Sequence, residues 1–245
     1  IVTPTLRPSA PSNLQVTEVS PESFRLSFNK PLNDGGNPTI TYTLQVSGGG
    51  YDNWTTLPWR PWCRMDDCAK PLLNNFPGTF EGDPYSFTVE NLKKGTKYSF
   101  RLFANGCSGW CMEYLWGAES NIRSKPVTFF VQTTATIPEP VTAISATVVS
   151  ETSIELSWEK PSDGGSKITG FEIQRFDNLK NMWISVAKPR SWVNKYKFVK
   201  MIPGKVYQFR VIAMNAIGSS QTDGWGAKTK YVSMPIKRPG TNTYY

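Results

Sequence analysis

The sequence predicts an all-β chain built as two tandem β-sandwiches, and three observations predict it. The stretch Leu92-Lys93-Lys94-Gly95-Thr96-Lys97-Tyr98-Ser99-Phe100-Arg101-Leu102-Phe103-Ala104 recurs as Met201-Ile202-Pro203-Gly204-Lys205-Val206-Tyr207-Gln208-Phe209-Arg210-Val211-Ile212-Ala213, with Tyr98 and Tyr207 standing 109 residues apart. In both copies every second residue is apolar (Tyr98, Phe100, Leu102, Ala104; Tyr207, Phe209, Val211, Ala213), the period of a strand with one buried face. Further strand-like runs follow at short intervals, punctuated by turn residues, as sandwiches require. The 245 residues thus divide into two copies, each large enough to bury its own core.

Residues 1–10 are rich in Pro and Thr and are similar to residues 131–139, which join the two copies. They are expected to be a linker or the end of a preceding domain, and a chain starting at Ile1 is expected to be part of a longer one. The first domain is assigned to 11–134, a linker to 135–139 and the second domain to 140–245. In the first copy Leu14 to Val19 and Phe24 to Phe28 alternate as two strands, Asp34-Gly35-Gly36 makes a turn, and Tyr42, Leu44 and Val46 share one face of a third strand. The second copy repeats the order with Ile154, Leu156 and Trp158, then Asp163-Gly164-Gly165, then Phe171 and Ile173.

These residues carry a resemblance to the fibronectin type III family. Pro161, Asp163-Gly164-Gly165, Ile168-Thr169-Gly170-Phe171, Trp158, the Gly204 to Tyr207 spacing and Ala213-x-Asn215-x-x-Gly218 match it in the second copy. Pro31, Asp34-Gly35-Gly36, Tyr42, Gly95, Tyr98 and Ala104-Asn105 match it in the first, where Phe28 replaces the usual Trp. The resemblance implies immunoglobulin-like sandwiches in which Tyr98 and Tyr207 close a corner with their hydroxyls. The Asp-Gly-Gly turn is similar to that of titin-like arrays, and further type III neighbours are expected along the chain.

Departures from the family are the better guide to function. Gln45 to Gly95 spans 50 residues and Gln174 to Gly204 only 30, so the first domain holds an insertion of about 20 residues, placed by the resemblance between strands C′ and E. Both copies are expected to carry a long loop between strands F and G, ending in Trp116-Gly117-Ala118 and Trp225-Gly226-Ala227. The four cysteines, Cys63, Cys68, Cys107 and Cys111, lie in the insertion and in the FG loop of the first copy. Disulfides suit such pairs in an oxidising compartment, with bridges between the two loops favoured. A four-thiolate zinc site is the rival, although its C-x4-C and C-x3-C spacings depart from the usual knuckles.

The resemblance brings the BC, C′E and FG loops to one pole. That would gather Trp54, Trp59, Trp62, Trp110 and Trp116 with Arg60 and Arg64, the pairing of aromatics and arginine that binding hot spots use. A small private core tying the insertion to the sheet is the plainer reading. Asn53-Trp54-Thr55 is an N-glycosylation acceptor sequence. Asp66, Asp67, Glu81 and Asp83 do not follow any calcium-loop spacing.

Charge is uneven: residues 1–134 carry twelve Lys or Arg against eleven Asp or Glu, residues 135–245 fifteen against eight. Lys188, Arg190, Lys195, Lys197 and Lys200 form a basic patch, and Lys195 and Lys197 are expected to point outward beside Glu155. Cross-strand ion pairing is the plain reading, and a sulfated glycan or an acidic protein the functional one. The chain has no histidine, which excludes imidazole bases and His-ligated metals. No nucleophile and base pair or phosphate loop appears, and no apolar run reaches membrane-spanning length. The expectation is therefore a non-enzymatic segment without cofactor, membrane span or nucleic-acid partner. It would serve adhesion or structure in a secreted or cell-surface multidomain protein, a fibre or filament component being one form of this, and bind protein partners through the first domain's loop pole. A glycan-binding module using the loop tryptophans and an intracellular titin-like scaffold are the alternatives.

Overall fold

The computed structural model describes residues 6–37, 39–57, 72–74, 84–107, 122–220 and 228–236. The chain divides after Thr134 into two compact units, and every regular element described is a strand. The first unit contains β1 (Ser12–Thr17), β2 (Phe24–Asn29), β3 (Thr39–Gly48), β4 (Tyr51–Thr56), β5 (Leu72–Asn74), β6 (Tyr85–Glu90), β7 (Lys97–Cys107) and β8 (Val127–Gln132). They form two antiparallel sheets, ordered β1-β2-β6-β5 and β4-β3-β7-β8. The second unit contains β9 (Ile144–Ser150), β10 (Ser153–Trp158), β11 (Gly170–Asp177), β12 (Met182–Ala187), β13 (Lys195–Phe198), β14 (Val206–Tyr207), β15 (Phe209–Met214) and β16 (Val232–Ser233). Its sheets run β13-β10-β9 and β12-β11-β15, with β14 paired to β16.

Period two in the sequence becomes burial in the fold. Tyr98, Phe100, Leu102 and Ala104 point into the first core, and Tyr207, Phe209, Val211 and Ala213 into the second. Phe28 does the work of the missing Trp. It meets Tyr42 edge-on with ring centroids 4.9 Å apart, as Trp158 meets Phe171 at 5.4 Å. Both corner tyrosines accept a backbone N–H through their hydroxyls, from Lys93 at 2.8 Å and from Ile202 at 3.1 Å. Burial pushes the Tyr98 hydroxyl pKa up, and the hydrogen bond from Lys93 offsets part of that rise.

The segment entering each unit is hydrogen-bonded to that unit's Asp-Gly-Gly turn. Leu6 N–H donates to Gly35 O and Ser9 N–H to Asn33 O, both at 2.8 Å. Thr136 N–H donates to Gly164 O at 2.8 Å and Glu139 N–H to Ser162 O at 3.0 Å. Gly35 and Gly164 hold φ near +69° and +67°, and a Cβ on either would strike the carbonyls of the passing segment. Thr134, the last residue of the first unit, donates to Ser20 O at 3.2 Å and accepts Gly95 N–H at 3.0 Å.

The last hairpins differ from expectation. In the first unit Ala104 N–H donates to Ser124 Oγ across 20 residues of chain; in the second, Ala213 N–H donates to Ser220 Oγ across only 7. The second hairpin therefore closes tightly. Asn215 Oδ1 accepts the N–H groups of Ile217 and Gly218, and Met214 pairs with Ser219. Pairing resumes with Lys228 opposite Arg210, and residues 221–227 between them lie outside the described ones. In the first unit β7 ends at Cys107 and Gly106 N–H donates to Ile122 O at 2.8 Å, and the residues of the expected FG loop between them lie outside the described ones. The second copy's expected FG loop is corrected to a tight turn, because the Asn215 side chain satisfies the turn amides locally.

Candidate functional site

The FG connection and the return of the insertion to the sheet lie at one end of the first unit. β4 leads to Leu57, whose N–H donates to Leu44 O, and β6 begins at Tyr85, opposite Phe28 at the end of β2. β7 ends with Cys107 opposite Thr39, at the start of β3. The chain leaves β4 beside Leu44, in the middle of β3, and first re-enters the sheet with Leu72 opposite Glu90, at the far end of β6, whereas the FG connection and the point where the insertion returns to β6 lie at the same end as the BC turn. At this end Gly106 packs directly beneath the Asn37 side chain, which a Cβ would meet at 2.5 Å from its Cγ. Asn37 is 4% exposed; its Nδ2 donates to Leu6 O at 2.9 Å and to Asp34 O, while its Oδ1 is buried without a hydrogen-bond partner.

Sequence reasoning missed a ladder on the outer face of sheet β4-β3-β7-β8. Trp54 of β4 lies over the Arg101 guanidinium at 4.3 Å, and Arg101 Nε donates to Gln45 Oε1 at 2.7 Å. Phe103 lies 5.4 Å from Arg101 and 4.7 Å from Arg123. Arg123 Nε donates to Asn105 Oδ1 at 3.1 Å, and Asn105 Nδ2 donates to Thr43 Oγ1 at 2.9 Å. Burial, and then the charge of Arg123, holds the Arg101 pKa below its ordinary value. Thr43, Gln45, Phe103 and Asn105 are all buried although they alternate with the core residues of β3 and β7.

The second unit has the beginning of the same ladder. Arg210 sits 4.6 Å from the Trp183 ring and donates through Nε to Gln174 Oε1 at 2.7 Å. The signal was present in the sequence: Trp54 and Trp183 share the 129-residue offset of Gln45 and Gln174, and Arg101 and Arg210 the 109-residue offset of the F strands. Trp54 is accordingly half-buried in a stack common to both units, with one face occupied by Arg101.

The five residues of the basic patch are all exposed in the second unit. The register sets Lys197 opposite Glu155 and Lys195 opposite Ser157. Among the described residues the ion pairs found are elsewhere, Arg25 with Glu18 and Lys94 with Glu22, each at 3.7 Å. Trp192, which sequence reasoning passed over, is 72% exposed beneath the Arg190 guanidinium at 5.2 Å.

The model of the fibronectin type III domain matches residues 9–110 and 139–225. The chain belongs to the fibronectin type III family. It is 25% identical to Titin of Drosophila melanogaster over 87% of its own length and 1% of that protein. With Ephrin type-A receptor 4-B of Xenopus laevis it shares 26% identity, covering 96% of the chain and 22% of the receptor. The chain thus spans a small part of these relatives. The crystal structure of chicken CNTN1 FN1-FN3 domains aligns over 93% of the chain and 67% of that structure, with a TM-score of 0.54 at 16% identity, a likeness of fold.

In the first type III domain Asn53 and Thr55 of the acceptor sequence are exposed on β4, an edge strand, and Thr55 Oγ1 donates to Asn53 O at 3.3 Å. Cys107 closes β7 through its backbone pairing. Cys63, Cys68, Cys111, Trp59, Arg60, Trp62, Arg64, Trp110 and Trp116 lie outside the described residues, as do Asp66, Asp67, Glu81 and Asp83. Among the described residues no helix is long and apolar enough to cross a membrane.

Proposed function

We propose that this tandem pair is a non-catalytic adhesion or structural segment of a larger multidomain protein, and that it binds protein partners through the loop pole of its first domain. Type III domains generally act as non-catalytic scaffold modules, and the relatives are multidomain proteins that repeat them. The observation that carries the reading is the asymmetry between the units. The FG connection leaves the first sandwich at the end where its BC turn lies and the insertion returns there at Tyr85, whereas the equivalent hairpin of the second closes across 7 residues. Segments added at one end of a rigid sandwich are free to vary without cost to its core, which is how loops acquire binding roles. Pull-down with the native chain tests this, using a Trp59→Ala, Trp62→Ala, Trp110→Ala variant as control. A partner held equally by both would remove the pole from consideration.

Location divides the relatives. Titin is intracellular and the ephrin receptor a cell-surface protein, so extracellular is one of two possibilities. We favour the secreted or cell-surface setting, with Cys63, Cys68, Cys107 and Cys111 as disulfides. Counting thiols on the native chain separates it from the intracellular scaffold, for which all four would react. The glycan-binding alternative loses Trp54 as a free stacking platform, because Arg101 already covers one of its faces.

A further inference from the structure

The two units differ at a sheet edge. Val89 of β6 stands opposite Phe24, and Phe198 of β13 opposite Ile154, so the two strands are equivalent and 109 residues apart. In the first unit β5 pairs along the outer side of β6, with Leu72, Leu73 and Asn74 opposite Glu90, Val89 and Thr88. In the second, β13 ends its sheet among the described residues. The positions that β5 covers in the first unit correspond to Lys197, Phe198 and Val199 in the second.

What the missing strand would supply can be read from the residues around this edge. Trp158 N–H donates to Asn194 O, which marks that pair as hydrogen-bonded. By antiparallel alternation Tyr196 and Phe198 also bond to β10, leaving the amides of Lys195 and Lys197 turned toward the open edge. Phe87 and Val89 are fully buried in the first unit, whereas Tyr196 and Phe198, packed on the second core with ring centroids 4.8 Å apart, are only half-buried. Val199 is 62% exposed. Around them Lys188, Arg190, Lys195, Lys197 and Lys200 are exposed, and Glu155 on β10 is the acid facing them.

We propose that the open edge of β13 is a docking site for an extended acidic segment of a partner protein, which adds to the sheet as an antiparallel strand in the place that β5 occupies in the first unit. Backbone pairing would supply affinity, and the exposed sides of Tyr196, Phe198 and Val199 would be covered. Edge lysines ordinarily discourage strand addition. Here they do so selectively: a neutral or basic strand would bury their charge unpaired, and an acidic one neutralises it.

The test uses the full chain and two synthetic probes, a short peptide alternating glutamate with valine and the same peptide N-methylated at alternate positions. Binding is followed by fluorescence anisotropy, and amide hydrogen exchange is read at Lys195 and Lys197. The unmodified peptide is expected to bind and to slow both amides, and the N-methylated one to bind at least about tenfold more weakly. Lys197→Pro removes an N–H that β10 does not use and should weaken binding by a similar factor; Lys197→Glu should do so through charge. Equal binding of the two peptides, or of Lys197→Pro and the native chain, overturns the proposal in favour of charge attraction alone. Displacement of the peptide by a sulfated oligosaccharide that leaves both amides unprotected would assign the patch to glycans. Failure of the unmodified peptide to bind also overturns it.

Discussion

One carboxamide joins the incoming segment to the BC turn in each domain, and it comes from a different loop in each. In the first domain Asn37, on the BC turn itself, reaches Leu6 O, and Gly106 lies beneath it. In the second the BC position is Ser166, and Asn215 from the FG turn reaches Thr136 O and Asp163 O, both at 2.8 Å. Gly106 and Asn215 are the same position, 109 residues apart. The second arrangement satisfies the whole amide, since Asn215 Oδ1 also accepts two turn N–H groups, whereas Asn37 Oδ1 is left buried without a partner. The same polar requirement has therefore been met twice, by a BC-turn residue in the first domain and by an FG-turn residue in the second.

The sharpest way to break this comparison is to ask whether damage stays in one unit. Phe100→Ala should cost the first domain about 3–5 kcal/mol, because it empties a site in contact with Phe24 and Phe129. Urea denaturation should then split into two transitions, with the second domain unmoved. Next in size, Gly106→Ala should cost about 1–3 kcal/mol by driving a methyl group into the Asn37 amide. Exchanging the pair, Asn37→Ser with Gly106→Asn, copies the second domain and should recover most of that loss at unchanged m-value. Recovery no better than the sum of the single changes would show that the two positions do not share one amide site.

Tyr98→Phe should cost about 1–3 kcal/mol, since the Lys93 N–H loses its acceptor. Its pH dependence has a definite sign. The folded-state pKa of Tyr98 is raised, so its contribution is complete below the ordinary tyrosine value near 10 and is lost as pH climbs through the raised one. Stability of the first domain measured from neutral to strongly alkaline pH should fall less steeply in Tyr98→Phe than in the native chain. The smallest effects belong to the outer ladders. Trp54→Ala and Trp183→Ala should each cost about 0.5–2 kcal/mol, the first more, because Arg101 is the more crowded cation, with Arg123 beside it. Thermal melts of the two variants in parallel rank them.

The inner faces of the strands were legible because burial imposes a period of two: Tyr42, Leu44, Val46 and the matching Phe171 and Ile173 all fall inside. The corner tyrosines were legible through their distance from the turn glycines. The ladder was not, because Trp54, Gln45 and Arg101 meet only through the register of three strands, and the sequence gives strand faces more readily than register. The second hairpin was misplaced for a related reason. Trp225-Gly226-Ala227 keeps the 109-residue offset of the first copy, yet Asn215 closes the turn well before it, and repeated spelling does not require repeated pairing. The added strand β5 gave no sign in the sequence, because three residues are too few to show a period.

The hydrogen bonds at the junction have a mechanical consequence. Thr134 is held by Ser20 and Gly95, and Thr136 is already bonded to Gly164, so Ala135 is the one residue between the last such bond of one domain and the first of the next. A residue of extended chain supplies only about 3.3–3.6 Å of slack. Tension applied along the polypeptide would pass almost at once from the amide of Thr134 to that of Thr136, and the Asp163-Gly164-Gly165 turn would bear load before any sandwich strand was pulled from its sheet.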